Sequence, residues 1–276
     1  MSLSKLVDTV CAHYKKEGRA NLPWRKTHDP YRIMVSEFML QQTQVSRVEG
    51  KYKMFIQMFP TVGALARAPL SEVLRVWQGL GYNRRAKFLH LAAKEIVQVY
   101  KGKLPADPSL IETLPGIGHY TARAIAIFAF NMPEVCIETN IRTVFTHLCF
   151  PKKTNISDTQ LLPLIATSLS LAKQKGYTPR EWYSALMDYG VFLKKNGIRI
   201  NHKSAHYTKQ TSFRGSPRQL RGAIVRTLLD GPATPSKLSK ALLRDTPEVL
   251  KQLASLQKEG LVEARGAQFF LSRGSA

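Results

Sequence analysis

The chain has 276 residues, enough for two domains or one large one, and 44% of them are apolar, as is ordinary for a globular protein. Lysine and arginine number 41 against 19 acidic residues, a formal net charge of +22. A surplus of this size indicates a polyanionic partner, with nucleic acid as the first candidate. No apolar run is long enough to favour a membrane, and residues 1–5 show no apolar signal core, so we expect a cytoplasmic protein associated with the nucleoid.

The three cysteines, Cys11, Cys136 and Cys149, show no Cys-x-x-Cys spacing. They are predicted to be reduced, buried thiols, as in a protein of the cytoplasm. Neither a zinc pattern nor an iron–sulfur pattern is present, so we expect no metal centre built from cysteines.

The first third of the chain predicts helices separated by short loops. After a helix over residues 2–17, Asp29-Pro30 indicates a capped helix start with proline at the first helical position. Gln41-Gln42 interrupts that helix, and Thr43 is predicted to cap the next one. Residues 45–59 carry apolar side chains at a spacing of 3.6, which predicts an amphipathic helix.

The middle of the chain continues in the same way, and no segment with strand periodicity occurs before residue 194. This part is therefore predicted to be all-α. The predicted helices are two short ones within 61–78, a long one from Arg84 to Tyr100, and others near 120–130, 140–150, 158–173 and 181–193.

Leu114–Ala122 reads as a tight turn between two helices, with Gly116 and Gly118 flanking one apolar residue. Two glycines allow positive φ and a close approach of backbone N–H groups to an anion. Such a turn can hold a nucleic-acid phosphate without base preference. The alternative is that both glycines only cap two packed helices.

The last third changes character after residue 193. Residues 194–215 are predicted to be a basic linker or a DNA-facing arm, and residues 216–276 predict three helices and a β-hairpin, a winged helix-turn-helix. Residues 191–276 hold 16 basic and 5 acidic side chains, a surplus of +11. Duplex DNA is the favoured partner of this surface, with a merely solvated basic face as the alternative.

Ser36–Val45 is the most specific string in the chain. Glu37 lies beside apolar residues near a helix end, where partial desolvation would suit a general acid. Gln41 and Gln42 would read base edges or fill space in a duplex. Taken alone, the string also fits a helix with a solvated glutamate.

Several motifs of the chain occur in the order seen in MutY-type adenine DNA glycosylases of the helix-hairpin-helix, or endonuclease III, superfamily, and the chain resembles that family. The resemblance covers about residues 20–193. Its motifs are Leu22-Pro23-Trp24-Arg25, Pro30-Tyr31, Ser36–Val45, Phe59-Pro60-Thr61-Val62, Gly79-Leu80-Gly81-Tyr82 and Leu114–Ala122. It implies a mainly α, two-lobed glycosylase fold over residues 1–193, with DNA held between the lobes. The linker over 194–215 and the winged helix over 216–276 lie outside the resemblance and are predicted from the residues alone.

The resemblance also implies a role for each matching residue. Glu37 matches the acid that protonates the leaving base, and Glu138 stands where the family has aspartate to stabilise the sugar cation. Tyr120 stands where bifunctional relatives have a lysine nucleophile, so base removal without efficient lyase activity is expected. DNA contacts are expected from Gln41, Gln42, Tyr82, Asn83, Arg84, Gly116, Gly118 and His119, with Gln42 and Tyr82 as wedges and an alkali cation at the hairpin.

The chain departs from the family in three ways. It lacks the four-cysteine iron–sulfur loop, so no such cluster is expected; a winged helix replaces the domain that senses 8-oxoguanine; and Glu138 replaces aspartate. The leading hypothesis is a monomeric, monofunctional glycosylase of base excision repair acting on adenine opposite G or 8-oxoguanine in double-stranded DNA. The alternatives are a thymine or uracil glycosylase acting on G mismatches, and a DNA-binding relative with weak or lost catalysis.

Overall fold

The structure, a computed structural model, describes residues 1–208 and 212–272. These residues form fourteen α-helices, two short 3₁₀ turns and one two-stranded sheet. The helices are α1 (Leu3–Glu17), α2 (Pro30–Leu40), α3 (Val45–Met58), α4 (Val62–Arg67), α5 (Leu70–Trp77), α6 (Arg84–Val99), α7 (Pro108–Thr113), α8 (His119–Phe130), α9 (Thr139–Cys149), α10 (Asp158–Gln174), α11 (Pro179–Lys195), α12 (Pro217–Asp230), α13 (Pro235–Leu242) and α14 (Thr246–Lys258), and the strands are β1 (Val262–Arg265) and β2 (Gln268–Leu271).

Side-chain caps set several of the helix starts. Asp29 accepts a hydrogen bond from the backbone N–H of Tyr31 at 2.9 Å, so α2 begins at Pro30 as predicted. Thr178 and Glu181 form a reciprocal capping box at the start of α11. The predicted cap at Thr43 is wrong, because α3 follows Gln44 and the Thr43 hydroxyl serves another helix, as described below.

The chain forms two compact units, each made of three separate stretches. The first unit contains Met1–Met34, Pro105–Thr113 and Ile117–Lys209. Its core includes large, fully buried side chains from α9 and α11, namely Phe145, Trp182 and Tyr183.

Asp188 ties the N-terminal part of the first unit to α11. Its buried carboxylate accepts hydrogen bonds from Arg19 Nε at 2.6 Å and from Arg25 Nη1 at 2.6 Å. Burial alone would raise the pKa of Asp188, but the two guanidinium groups outweigh it and hold that pKa below its usual range. The Pro23–Arg25 turn is therefore fixed by a buried charge cluster.

The second unit contains Val35–Leu104, Leu114–Gly116 and Gln210–Ala276. Its core includes Phe38, Phe55 and Trp77. The C-terminal stretch contacts the helices of this unit through polar groups. Lys87 Nζ donates to the backbone oxygen of Glu259 at 2.7 Å, and Arg75 Nη2 donates to that of Leu229 at 3.1 Å.

The C-terminal stretch has the helices and hairpin that the sequence predicted. β1 and β2 pair antiparallel, with Val262 opposite Leu271 and Arg265 opposite Gln268. Ala233, between α12 and α13, adds a further antiparallel bridge to Phe269. Three helices with a hairpin and this bridge match the arrangement of a winged helix-turn-helix.

The predicted fold class, mainly helical with a small α+β part at the C-terminal end, agrees with these elements. Among the described helices, none combines the length and apolar composition that a membrane span needs. α11 runs to Lys195, two residues past the predicted domain boundary at 193. The domain boundaries themselves stay predictions.

Candidate functional site

Glu37 lies in the last turn of α2, in the second unit, with only 8% of its surface exposed. Its neighbours Ser36, Phe38 and Met39 are also buried. The carboxyl is therefore withdrawn from bulk water, as the apolar neighbours in the sequence indicated. Such a group suits the predicted general acid.

Arg85, at the start of α6, fixes the end of α2. Its buried guanidinium donates six hydrogen bonds of 2.6–3.2 Å, and it remains charged at neutral pH although burial lowers its pKa to about 10. The acceptors are the backbone oxygens of Phe38, Met39, Gln41, Leu80 and Gly81 and the hydroxyl of Thr43. One side chain thus joins the C-terminal end of α2 to the loop before α6 and satisfies carbonyls that a helix end leaves without partners.

Sequence reasoning missed Arg85 and singled out the adjacent Arg84. The signal was present, because Arg85 occupies the apolar stripe of α6 with Leu89, Ala93 and Ile96, all of which are buried. A charged residue at such a position needs several partners. Arg84 is exposed and its guanidinium lies 4.8 Å from the centre of the Phe88 ring, which leaves it accessible for the predicted DNA contact.

The two predicted wedge residues share an uncommon backbone conformation. Gln42 has φ of 55° and Tyr82 has φ of 49°, both in the left-handed region that non-glycine residues rarely adopt. Arg85 bonds the carbonyl oxygens of Gln41 and Gly81, the residues immediately before them. Strained residues held in place by their surroundings are typical of binding and catalytic sites.

The side chain of Tyr82 contacts the C-terminal stretch of the same unit. Its hydroxyl accepts a hydrogen bond from Arg218 Nη1 at 2.6 Å, and that guanidinium lies 5.8 Å from the ring centre. Arg85 lies 5.4 Å from the same ring. Tyr82 is 39% exposed, and Asn83, which follows it, is partly buried.

The glycine turn before α8 needs one of its glycines for steric reasons. Gly116 has φ of 75°, and a Cβ at this position would overlap Cβ of Phe88. Gly118 differs from the expectation of positive φ, because its φ is −100° and an added Cβ would meet nothing within 4 Å. Gly118 caps α8 without a side chain, so no side chain of its own blocks the amide groups at that helix start.

The first residues of α8 belong to the first unit. His119 is exposed, and its Nδ1 lies 2.7 Å from Arg123 Nη1 and 3.3 Å from Glu112 Oε2. Tyr120, in the first turn of α8, is partly buried. A phenol at this position lacks the amine that a Schiff base requires.

Glu138 is the cap residue of α9. Its Oε1 accepts hydrogen bonds from the backbone N–H groups of Asn140 at 2.7 Å and Ile141 at 2.8 Å. Burial raises the pKa of Glu138, while the two amides and the charges of Lys194 and Arg142 act against that increase. The helix N-terminus therefore holds this carboxylate in one orientation.

Asn140 connects Glu138 to a cation on α11. Its Nδ2 donates to Glu138 Oε2 at 3.0 Å, and its Oδ1 accepts from Lys194 Nζ at 2.7 Å. The sequence placed Lys194 in a linker, whereas the structure places it in the last turn of α11. The residue Gly190, one helical turn earlier, carried the signal that this face of α11 packs closely against a neighbour.

The segment after α11 does not fit an iron–sulfur cluster. No cysteine follows Cys149, so the four thiolates of such a cluster are missing from this region. Instead the segment pairs with the start of α10: Ile156 N donates to the Lys203 oxygen at 2.9 Å, and Ala205 N donates to the Ile156 oxygen at 3.0 Å. Lys203 and Ala205 are therefore hydrogen-bonded into the first unit.

The predicted site residues divide between the units. The second unit brings Gln41 and Gln42 together with the loop that carries Tyr82, through Arg85. The first unit contains Tyr120, His119 and the Glu138 cap. That Glu37 and Glu138 converge on one nucleotide stays a prediction.

Residues 35–162 match the HhH-GPD family, described as HhH-GPD superfamily base excision DNA repair proteins. The chain is 38% identical over 264 residues to the adenine DNA glycosylase of Mycolicibacterium smegmatis, with 89% of each chain covered. It is 32% identical to the adenine DNA glycosylase of Mycobacterium tuberculosis (strain CDC 1551 / Oshkosh), covering 92% of this chain and 90% of that protein.

The fold also matches a solved structure, that of a thermostable thymine-DNA glycosylase, with a TM-score of 0.61. The match covers 73% of this chain and 94% of that one at 24% sequence identity. At this identity the likeness concerns the fold, which is the helical glycosylase fold that the sequence motifs implied.

Proposed function

The chain belongs to the adenine DNA glycosylases, the MutY-type members of the HhH-GPD superfamily, and we propose that it excises mispaired adenine from double-stranded DNA. The observation that carries this proposal is Glu37, a buried carboxyl at the end of α2 within the string that matches the family acid. The opposing base is G or 8-oxoguanine. The protein acts as a monomer in the cytoplasm, where the nucleoid provides its substrate.

The reaction needs two carboxyl groups with different tasks. As the bond between sugar and adenine breaks, its electron pair goes to the base, and Glu37 supplies the proton that makes the base a neutral leaving group. The sugar becomes a cation, which the carboxylate of Glu138 stabilises. Water then adds to the sugar cation and gives up a proton, which returns the Glu37 carboxylate to its acid form, so that the products are free adenine and an abasic site.

The fixed backbone conformations of Gln42 and Tyr82 suit base extrusion, the step that precedes cleavage of the glycosidic bond. Extruding a base from a duplex costs a few kcal/mol, least for a mispaired base, and side chains that fill the vacated space offset part of it. Because Arg85 holds the residues before both wedges, their backbone needs no reorganisation on binding. The α8 start after Gly118 offers amide groups for a backbone phosphate.

Tyr120 supports excision without strand cleavage. A lyase step requires an amine that attacks the sugar to form a Schiff base, and Tyr120 has none to give. The abasic product should remain uncut unless alkali is added. Strand breaks without alkali, together with a borohydride-trapped covalent complex, would contradict this.

The protein works without an iron–sulfur cluster, because three cysteines cannot provide four thiolate ligands. Iron content and visible absorbance of the purified protein test this part of the proposal. An alkali cation at the hairpin stays a prediction, and no step of the proposed reaction depends on it.

The C-terminal stretch supplies a second DNA contact. Its exposed lysines and arginine include Lys237 on α13, Lys251 and Lys258 on α14, and Arg265 at the end of β1. Phosphate contacts release counterions, so duplex affinity should fall steeply with salt, and charge reversal at Lys251 and Lys258 should flatten that slope. A salt response that these changes leave untouched would remove α14 from the DNA interface.

The decisive experiment is single-turnover base release from duplexes with A, T or U opposite G and with A opposite 8-oxoguanine. Glu37→Gln should reduce adenine release by about 10²–10⁴-fold, the usual worth of a positioned acid. Glu72→Gln, an exposed glutamate in the same unit, is the matched control and should behave as wild type.

The other outcomes identify the alternatives. Release of thymine or uracil only would place the protein with the pyrimidine mismatch enzymes, a possibility that rests on Tyr120, since superfamily relatives with tyrosine there act on such mismatches. Tight duplex binding with no release from any substrate would make it a DNA-binding relative that has lost catalysis.

A further inference from the structure

Three polar side chains form a continuous chain at the start of α9. The Asn140 amide lies between Glu138 Oε2, to which it donates at 3.0 Å, and Lys194 Nζ, from which it accepts at 2.7 Å. An amide held by an acceptor on its nitrogen and a donor on its oxygen has only one favourable orientation. Asn140 is therefore fixed from both sides, and Glu138 Oε2 is fixed with it.

A close approach of two helices makes this chain possible. Gly190 of α11 lies against Asn140, where an added Cβ would come within 2.6 Å of both the backbone oxygen and Cβ of Asn140. Lys194 follows one turn later on the same face of α11. Its ammonium thus reaches the start of α9 because position 190 has no side chain.

Two cations lie near Glu138 at this helix start. Among the described contacts, Lys194 is the one of the two that makes no direct hydrogen bond to a carboxylate. Arg142, the other cation near Glu138, is engaged by Asp158 of α10 in two hydrogen bonds of 2.8 Å. Burial raises the pKa of Glu138, and Lys194 and Arg142 lower it. Burial lowers the pKa of Lys194, and the charge of Glu138 opposes that decrease.

We propose that Lys194 is a positioning residue for the reaction, which holds Glu138 through Asn140 as an oriented carboxylate beside the sugar. This inference rests on the proposed function, because it assigns Lys194 a role in the same step as Glu138. The residue acts at a distance from the sugar, so it affects the charge and direction of Glu138 without contacting the substrate.

The test compares Lys194→Met with Lys194→Arg and with Lys195→Met, the exposed neighbour, as matched control. Single-turnover adenine release is measured across pH. Lys194→Met should slow release on the order of tenfold at neutral pH, because small displacements of a catalytic group are costly. In the rate–pH profile of Lys194→Met, the acidic limb should move to higher pH. Lys194→Arg should restore the wild-type profile, and Lys195→Met should leave it unchanged.

An unshifted acidic limb in Lys194→Met would overturn the inference, even if the variant were less stable. Asn140→Leu provides a second check, since adding Lys194→Met to it should have no further effect if the cation acts through the amide. Full additivity of the two changes would contradict that route.

A readout independent of catalysis separates this inference from the proposed function. If wild type releases no base at all, the proposed function fails, and the titration of Glu138 followed by NMR of labelled carboxyl groups still decides the role of Lys194. The Glu138 midpoint should rise in Lys194→Met and not in Lys195→Met. Equal midpoints in all three proteins would overturn the inference.

Discussion

The two candidate catalytic carboxyl groups lie at helix ends that are held in opposite ways. At the end of α2, near Glu37, a guanidinium from another helix collects backbone oxygens more than forty positions away in the sequence. At the start of α9, Glu138 caps its own helix through amides two and three positions away. The first arrangement exists only in the folded unit, whereas the second forms with the first turn of its helix.

This difference predicts where damage spreads. Loss of the Arg85 hydrogen bonds should increase the mobility of the C-terminal end of α2, of the residues around Gln41 and of the loop before Tyr82 together. Loss of the local cap should affect the first turn of α9 and the Asn140–Lys194 contact beside it.

The largest effect should come from Arg85→Met. The change leaves several buried carbonyls without donors and should lower the free energy of unfolding by about 3 kcal/mol. Arg84→Met, the same change one position earlier on the exposed side, should stay within about 0.5 kcal/mol of wild type while weakening DNA binding. Urea unfolding measures the stability of both variants, and equal stabilities would show that the hydrogen bonds of Arg85 do not stabilise the protein.

A smaller effect is expected at the local cap. Glu138→Gln keeps an oxygen that can accept from the α9 amides, whereas Glu138→Ala keeps none. The alanine variant should therefore be less stable than the glutamine variant by about 1 kcal/mol, the usual worth of an N-cap. If the two variants unfold at the same urea concentration, the cap does not stabilise α9.

The pH dependence of Glu138→Gln sharpens the comparison further. Because burial raises the pKa of Glu138, its contribution to stability is fully present below the unfolded-state pKa and is lost as pH rises through the folded-state value. Glutamine does not titrate. The stability of Glu138→Gln relative to wild type should therefore increase from pH 4 to pH 8, and a decrease over this range would contradict the sign.

The smallest effect should come from Arg218→Ala, which removes the hydrogen bond to Tyr82. We expect mismatched-duplex binding to weaken by about 0.5–1 kcal/mol, the net worth of one such bond, beyond any loss seen for Arg226→Ala, an exposed arginine of the same helix. Tyr82→Phe should reproduce the loss, and the double variant should add nothing to it. Additive losses would show that Arg218 acts on DNA independently of Tyr82.

The same contrast explains how much the sequence could predict. Helix starts with local caps, such as Asp29-Pro30, and the hairpin of β1 and β2 follow from neighbouring residues, and these predictions agree with the structure. Short motifs indicated Glu37 and Glu138 as candidates, and their catalytic roles stay predictions. Arg85 and Lys194 were missed although local signals pointed to buried contacts, because most of their partners are distant in the sequence. Four of the six acceptors of Arg85 lie 42–47 positions away and the acceptor of Lys194 lies 54 positions away, and they become neighbours only through helix packing. Thr43 was mispredicted for the same reason, since its hydroxyl serves Arg85.

The division of each unit into three stretches has a consequence during biosynthesis. Residues 35–104 of the second unit leave the ribosome early, but their partners in the C-terminal stretch follow only after residues 105–209. At ordinary rates of synthesis this interval lasts roughly 5–20 s, far longer than helix formation. Until then the surfaces of α5 and α6 that Arg75 and Lys87 join to the C-terminal stretch stay uncovered, so the nascent chain is most open to chaperones in that interval.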